Sequence, residues 1–395
     1  MESFADLEKT IIDMRRKFHR YPELSGKEAQ TAAAVAEFLT SLGVDVYRCS
    51  SSYGVCGIIK GAGAGPVIAL RADMDALPIT EENETEYKSQ HNGIMHACGH
   101  DGHMAMLLGA AALLVQQRAK LSGTVKLVFQ PAEEAAPVGG ATAVMQEGIL
   151  DDADVIFGMH LWPDIPSGHI GIKTGALMAA SDRFTVTIKG RSSHAAHPHQ
   201  GIDAITIAAD IIQEFNHIIS RRIDPLEAAT ISIGTIRGGE RYNVVAHQVC
   251  LEGTVRTLNE ATRREIPQHM ENILRGLSQA HGSQYLLDYQ LGYPVLYNQN
   301  TPVEIVKTAA AAIIGEAAIH SDIKPALGAE DFANYLARIP GAFFWLGCAK
   351  DGMEPPILHN SKFDIDESVL LKGARLFCQI ALDAAARHDF GGDKK

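Results

Sequence analysis

The chain has 395 residues, of which 46% are hydrophobic, and carries a formal net charge of −12 at pH 7. That length favours two domains, the hydrophobic fraction is ordinary for a soluble globular protein, and the charge argues against nucleic acid or an anionic membrane surface as a partner. We find no signal peptide, no apolar stretch long enough to span a bilayer, and six scattered cysteines, so we expect a cytoplasmic protein with reduced thiols.

The first part of the chain predicts two helices and two strands. Apolar residues recur at helical spacing over 4–18, and a second helix is expected over about 28–42. Short apolar strands are expected at 54–59 and 67–70, with a glycine-rich run at 61–65 between them. No Lys-Ser or Lys-Thr pair follows that run, which favours a turn between neighbouring strands over a phosphate-binding loop.

Strands then alternate with helices as far as about residue 160. Apolar strands are expected at 125–129 and 155–157, and helices at about 104–117 and 139–148. This alternation predicts an α/β fold with a mixed, mostly parallel sheet flanked by helices. The working groups of such sheets gather beyond the carboxyl ends of the strands. The polar residues at those ends are Asp73, Asp75, Glu133, Glu134 and His160.

The pattern changes near Ala180, where apolar and polar residues alternate over 183–189. Such alternation is typical of a strand in an antiparallel sheet with one wet face. We therefore predict that 180–291 forms a small α+β domain inserted into a larger domain. The larger domain would consist of residues 1–179 and 292–395.

A dense cluster of potential metal ligands lies at Met95–His103, which reads MHACGHDGH. Thiolate and neutral imidazole are good ligands for zinc-like divalent ions. Gly99 allows a tight turn, so the side chains of Cys98 and His100 can converge on one site. The alternative is a polar loop whose histidines only cap the helix that follows.

Glu133 and Glu134 follow a buried strand and a proline. In an extended segment, successive side chains point to opposite sides. One carboxylate could then face a metal while the other faces the water bound to it, which provides one ligand and one general base. The alternative is an ordinary solvated pair of glutamates.

Two further histidines, His160 and His359, extend the ligand set. Each could by itself be a satisfied core histidine. Together with Cys98, His100 and Glu134, however, they give five candidate ligands, enough for two adjacent divalent ions that share a bridging group. Asp75 could orient a neighbouring ligand, since metal sites commonly need such a carboxylate.

The ordered motifs resemble the M20 family of metallopeptidases, in the branch of aminoacylases, hippurate hydrolases and auxin-conjugate amidohydrolases. The similarity runs through nearly the whole chain. The motifs that carry it are His19–Ser25, Arg71–Pro78, His96–Asp101, Gln130–Glu134, Gly158–His160, Gly328–Phe332 and Leu358–Asn360.

The resemblance implies a zinc-exopeptidase-like catalytic domain with two divalent metal ions per chain. Cys98 would bridge the metals, with Glu134 and His359 completing one site and His100 and His160 the other. Other branches carry a ligand His at the position of Asp73 and a bridging Asp at that of Cys98. A thiolate bridge is softer than a carboxylate, so Mn²⁺, Zn²⁺, Co²⁺ and Ni²⁺ all stay open.

The resemblance also assigns roles outside the ligand set. Glu133 would be the general base, and the inserted domain would be a lid with a functional histidine at His194. Asn243 and Arg256 match positions that touch substrate, and Arg suits a substrate carboxylate. The alternative for Arg256 is an ion pair on a strand face. The lid implies a homodimer or higher homo-oligomer, in which His194 acts in its own chain or in the partner's active site.

These features predict a metal-dependent amidohydrolase that cleaves small N-acyl or N-aroyl amino acids into a carboxylic acid and a free amino acid. The attacking water would be metal-bound and Glu133 would accept its proton. A dipeptidase or carboxypeptidase on the same scaffold stays open, because acyl selectivity depends on pocket shape. A non-catalytic metal- or peptide-binding protein is the alternative of another class, and it would need the ligands but not Glu133.

Overall fold

The computed structural model describes residues 4–350, 352, 354–387 and 389–391. The chain divides into two compact units. Unit 1 comprises Met1–Leu177, Tyr297–Lys324 and Asp331–Lys395, and unit 2 comprises Met178–Leu296 and Pro325–Glu330. The proposed role of the inserted segment as a lid or dimerisation domain stays a prediction.

The secondary structure alternates between strands and helices through most of the chain. The strands are β1 Asp45–Arg48, β2 Val55–Lys60, β3 Gly63–Asp73, β4 Ser122–Gln130, β5 Val155–Pro166, β6 Ile170–Gly171, β7 Gly175–Met178, β8 Ala180–Lys189, β9 Ala229–Gly238, β10 Gln248–Thr257, β11 Gln284–Gln290, β12 Leu296–Asn298, β13 Ile319–His320 and β14 Gly341–Ala349. The helices are α1 Phe4–Arg20, α2 Ala29–Ser41, α3 His100–Gln116, α4 Ala141–Gln146, α5 Ala204–Arg221, α6 Glu260–His281, α7 Asn300–Ile314, α8 Ala333–Leu336 and α9 Val369–Ala385. Within the described ranges, every helix is too short or too polar to cross a membrane.

Unit 1 is built on an eight-stranded sheet of order β1-β2-β4-β3-β5-β14-β6-β13. The central pairs β4–β3, β3–β5 and β5–β14 are parallel, whereas β1–β2, β2–β4 and β14–β6 are antiparallel. The sheet is therefore mixed and mostly parallel at its centre, which confirms the predicted fold class.

The glycine-rich run at 61–65 differs from its prediction. β2 and β3 are not neighbours, because β4 lies between them. The run instead packs on the segment that leads into β4, with Gly61 N–H donating to Gly123 O at 2.9 Å and Ala62 N–H to Leu121 O at 2.9 Å. A Cβ on Gly61 would lie 2.1 Å from Leu121 O, so only glycine allows this close backbone approach.

Helix α3 lies at the centre of the unit 1 core. Its residues from His100 to Leu114 are all buried, and it packs against α1 and α9. A helix that is apolar on all sides needs neighbours on all sides, which explains its place between the sheet and the outer helices. The first turn of α3 therefore starts inside the protein, where its polar residues need specific partners.

Unit 2 contains a four-stranded antiparallel sheet of order β11-β8-β10-β9 with helices α5 and α6. Phe184, Val186 and Ile188 of β8 are fully buried, while the residues between them are more exposed. This alternation is the pattern that the sequence predicted for a strand with one wet face.

A buried ion pair between Asp182 and Arg263 lies where the beginning and the end of Met178–Leu296, the main segment of unit 2, come together. The carboxylate of Asp182 accepts hydrogen bonds from Arg263 Nη2 at 2.7 Å, Gly292 N at 3.0 Å and Tyr289 Oη at 3.1 Å. Asp182 and Arg263 are 2% and 5% exposed. Every polar contact here satisfies a group that burial has removed from water, so losing one partner leaves the other charge uncompensated.

We predict that Asp182→Ala lowers the free energy of unfolding by about 3–5 kcal/mol, because Arg263 stays buried without its carboxylate. Arg183→Ala is the matched control, since Arg183 pairs with Glu252 at 3.4 Å on the exposed side of the sheet. That change should cost no more than about 1 kcal/mol. Urea denaturation followed by circular dichroism measures both values. Equal losses for the two variants would contradict the stabilising role of the buried pair.

Candidate metal centre

Five potential ligands from separate chain segments meet in unit 1. Cys98 and His100 lie at the start of α3, Glu134 follows β4, His160 lies in β5, and His359 follows β14. Two groups form within this set: Cys98 with His100 and His160, and Cys98 with Glu134 and His359. In each group, one potential ligand atom per residue lies within 4.8 Å of the others. Cys98 is common to both groups, as a bridging ligand would have to be.

The sheet register explains why His160 faces the other ligands. The prediction that it ends a strand is wrong, because β5 continues to Pro166. However, β5 pairs with β3 only as far as the Arg71–Gly158 pair. Beyond Gly158 the pairing with β3 stops, and Leu161 N–H donates to His103 Nε2 at 2.9 Å instead. His160 therefore lies in the part of β5 that has left β3, although its own strand continues.

The imidazoles of His100 and His160 are oriented by backbone carbonyl groups. Nδ1 of His100 donates to Asp75 O at 2.8 Å, and Nδ1 of His160 donates to Leu161 O at 2.7 Å. A carbonyl oxygen only accepts, so Nδ1 carries the hydrogen in both rings and Nε2 faces the site. Nε2 of His160 lies 3.4 Å from Cys98 Sγ.

The set of donor atoms in this pocket fits a divalent ion. Nε2 of His100 is buried without a hydrogen-bond partner. Burial alone would lower the pKa of His100, but the carboxylates of Asp73 and Asp75 raise it well above its usual range. The nearby thiol of Cys98 and the carboxylate of Glu134, which lies 3.1 Å from His359 Nε2, raise the pKa of His359 to about 10. A set of imidazole, thiol and carboxylate donors with an orphaned nitrogen is what a zinc-like ion requires.

Glu133 and Glu134 lie in a turn, so the predicted extended segment is wrong. The N–H groups of both residues donate to the Asp75 carboxylate, from Glu133 to Oδ1 at 3.1 Å and from Glu134 to Oδ2 at 3.0 Å. Two successive amides reach one carboxylate only where the chain turns, because an extended chain points them in opposite directions. Ala132, just before them, has a φ of 56°. Glu133 is buried, and its carboxylate lies near His100 and Glu134.

His103 is a site residue to which the sequence assigned no role. Its Nδ1 lies 2.6 Å from Asp73 Oδ1, and its Nε2 accepts the N–H of Leu161 at 2.9 Å. Nδ1 therefore carries the hydrogen, and both ring nitrogens are engaged. Burial lowers the pKa of His103. Although Asp73, His100 and His103 lie close together, His103 is a neutral packing partner of the ligands. Its position one helical turn after His100 was the signal available in the sequence.

A buried ionic network lies beside the ligands. Arg71 donates to Asp73 at 2.6 Å, to Asp331 at 2.8 Å and to Gln130 at 3.0 Å. Burial alone would raise the pKa of Asp73, but His100, His103 and Arg71 hold it well below its usual range. These contacts connect three of the motifs that carry the resemblance, namely Arg71–Pro78, Gln130–Glu134 and Gly328–Phe332.

The remaining sequence-predicted residues belong to unit 2. His194 is exposed, and its Nδ1 accepts the N–H of Ala196 at 3.0 Å. Asn243 lies beside it, since Ala195 N–H donates to Asn243 O at 3.1 Å, and Oδ1 of Asn243 is buried without a hydrogen-bond partner. Arg256 is half-buried in β10, where burial lowers its pKa.

Comparison with known proteins agrees with these features. The sequence profile of peptidase family M20/M25/M40 matches residues 69–383. The N-acyl-L-amino acid amidohydrolase of Geobacillus stearothermophilus is 44% identical over 299 residues, 75% of this chain and 80% of that protein. Thermostable carboxypeptidase 1 of Saccharolobus solfataricus is 39% identical over 382 residues, 95% of this chain and 96% of that protein.

A solved structure, that of a dinuclear metal binding peptidase of the M20 family from Bacillus subtilis, superimposes with a TM-score of 0.84 at 37% identity. The match covers 96% of this chain and 99% of that one. The family match over 69–383 and the extent of these identities lead to one conclusion: the chain belongs to the M20 family of metallopeptidases and amidohydrolases.

Proposed function

We propose that this protein is a metal-dependent amidohydrolase that cleaves N-acyl or N-aroyl amino acids into a carboxylic acid and a free amino acid. The observation that carries the proposal is the position of Cys98 in both ligand groups, with the buried carboxylate of Glu133 beside them. The 44% identity to an N-acyl-L-amino acid amidohydrolase supports the substrate class.

The proposed ligands divide into two sets that share the Cys98 thiolate. His100 and His160 would hold one ion, and Glu134 and His359 would hold the other. When bound, two divalent ions lower the pKa of a water molecule and polarise the substrate carbonyl. The thiolate and imidazole donors suit Zn²⁺, Co²⁺ or Ni²⁺, and the carboxylate also accommodates Mn²⁺.

Glu133 is the proposed general base. Its carboxylate accepts a proton from the attacking water, whose oxygen forms the new bond to the carbonyl carbon. The same carboxyl group then donates the proton to the amine nitrogen as the C–N bond breaks. The N–H groups of Glu133 and Glu134 donate two hydrogen bonds to the Asp75 carboxylate, which fix the backbone of the turn. They limit the positions that the Glu133 carboxylate can take.

Three residues of unit 2 complete the proposal. Arg256 binds the substrate carboxylate, because a guanidinium pairs with it through two hydrogen bonds. Asn243 binds substrate through its amide, and His194 donates a hydrogen bond to the carbonyl oxygen as negative charge develops there. The proposal includes a homodimer or higher homo-oligomer and a cytoplasmic location, for which the six free thiols are suited.

A second candidate function is hydrolysis of dipeptides or of the C-terminal residue of peptides. The 39% identity to a thermostable carboxypeptidase over 95% of the chain favours it. Both activities use the same water and base, so they differ in what binds on the acyl side of the amide. A protein that only bound metal or peptide would have no need for Glu133.

A substrate panel separates these activities. We expect hippurate, acetyl-methionine or an indole-acetyl conjugate to be hydrolysed with a higher kcat/KM than any of several dipeptides. Each reaction is run with added Mn²⁺ or Zn²⁺ and followed by release of the free amino acid. Dipeptides turned over far faster than every acyl amino acid would contradict the leading proposal and support the second.

Two substitutions should separate chemistry from metal binding. Glu133→Gln is expected to keep the metal content and to lower kcat by about 10²–10⁴-fold, because the amide cannot accept the proton. Cys98→Ala should lower the metal content in elemental analysis, since each ion loses a donor. Cys378→Ala is the matched control, because Cys378 is a buried free thiol in α9. Normal turnover in Glu133→Gln, or two metals per chain in Cys98→Ala, would contradict the assigned role.

The role of His194 has its own test. His194→Ala should lower kcat by about 10²–10³-fold, as loss of one oxyanion donor typically does, and leave the metal content unchanged. His197→Ala, a nearby exposed histidine, is the control and should keep its activity. If His194 acts on the partner, mixing His194→Ala with Glu133→Gln restores activity through hybrid dimers. A kcat near the wild-type value in His194→Ala would remove it from the mechanism.

A further inference from the structure

The motif His19–Ser25 and the residues that follow it have no role in the mechanism described so far. This segment joins α1 to α2 and lies against the end of β3, where Ala76 N–H donates to Glu23 O at 2.8 Å. Ser25 Oγ donates to Asp75 Oδ2 at 2.6 Å. The segment therefore contacts the carboxylate that holds the turn of Glu133 and Glu134.

Glu28 ends this segment, directly before α2, and its side chain is not used as a helix cap. The carboxylate of Glu23 caps α2 instead, because it accepts hydrogen bonds from Gln30 N at 3.2 Å and Thr31 N at 2.8 Å. Glu28 is 0% exposed, and its Oε2 has no hydrogen-bond partner. A carboxylate buried this way is costly, so it needs a reason other than helix capping.

The contacts of Glu28 supply that reason. Its Oε1 accepts the N–H of Gly26 at 3.0 Å and the N–H of Ala132 at 2.8 Å. Ala132 is followed by Glu133 and Glu134, whose N–H groups bind Asp75. Three successive amides are thus held by two buried carboxylates, those of Glu28 and Asp75.

Ala132 needs such a partner, because its φ of 56° lies in the left-handed region. This conformation is unfavourable for a non-glycine residue and persists only when surrounding contacts enforce it. It also sets the direction in which the side chain of the next residue, Glu133, leaves the backbone. The hydrogen bond from Ala132 to Glu28 therefore acts on the orientation of Glu133.

We propose that Glu28 is a positioning residue for the general base: by binding the N–H of Ala132, it holds the turn in the conformation that directs the Glu133 carboxylate to its substrate. The inference rests on the proposed function of Glu133. Glu28 acts through the backbone: among the described residues, its carboxylate accepts hydrogen bonds from the N–H groups of Gly26 and Ala132, neither of which is a proposed ligand.

Glu28→Met tests the inference, because methionine has a similar volume and cannot accept the hydrogen bonds. We expect kcat to fall on the order of 10–10²-fold, as small misplacements of a catalytic group do, with KM and metal content near wild type. Glu28→Gln should keep most of kcat, because its carbonyl oxygen can accept both N–H groups. Glu28→Asp keeps the carboxyl group but is shorter by about 1.5 Å, so it should lose activity like Glu28→Met.

Hydrogen–deuterium exchange gives a second readout that needs no substrate. The amides of 132–134 should exchange faster in Glu28→Met than in the wild type and in Glu28→Gln. Glu23→Met is the matched control, since it removes a carboxylate from the same segment but only uncaps α2. It should lower Tm while leaving kcat and exchange at 132–134 unchanged.

Three results would overturn the inference: wild-type kcat and exchange in Glu28→Met, an equal loss of kcat in Glu23→Met, or a loss of kcat in Glu28→Met that follows the metal content. If Glu28→Met does not fold, Glu28→Asp and Glu28→Gln carry the same comparison. Failure of the proposed function is distinguishable, because it would appear as full activity in Glu133→Gln while the exchange result still reports on Glu28.

Discussion

The carboxylate of Asp75 holds together the segments that carry the proposed catalytic groups. It accepts hydrogen bonds from the amides of Glu133 and Glu134 and from the hydroxyl of Ser25, and it lies 3.3 Å from His100 Nδ1. Burial alone would raise the pKa of Asp75, but these donors lower it, so the group stays ionised. One charge thereby fixes the start of α3, the turn after β4 and the segment between α1 and α2 relative to the end of β3.

A network of buried charged residues lies beside these groups, and each charge in the network is compensated by its neighbours. Arg71 joins β3 to Gln130 of β4 and to Asp331, whose carboxylate also accepts the N–H of Ala141 at the start of α4. Asp73, the other partner of Arg71, orients His103. A buried charge that loses its partner is strongly destabilising, so this network stays intact only as a whole. It connects β3, β4 and the segment at Asp331 beside the proposed ligands.

Backbone strain is concentrated at the same place. Among the described residues, Ala132 and His359 are the two non-glycine residues with positive φ, at 56° and 62°. His359 is held by its N–H bond to Ala97 O at 2.8 Å, and Ala132 by its bond to Glu28 at 2.8 Å. Such conformations cost energy and persist where the surroundings enforce them, and they occur most often at functional sites. The strain here orients one proposed ligand and the pair of glutamates.

The sequence by itself determined the α/β class of the fold, the antiparallel character of unit 2, and the identity of the potential ligands. Periodicity reports burial directly, and Cys98, His100 and the glutamates are recognisable by type and spacing. It could not determine that β4 lies between β2 and β3, that His160 lies inside a strand, or that Glu133 and Glu134 occupy a turn. Only the tertiary structure decided these points, because each depends on a partner far along the chain: the pairing of β4 with both β2 and β3, the pairing of β5 with β14, and the carboxylates of Asp75 and Glu28.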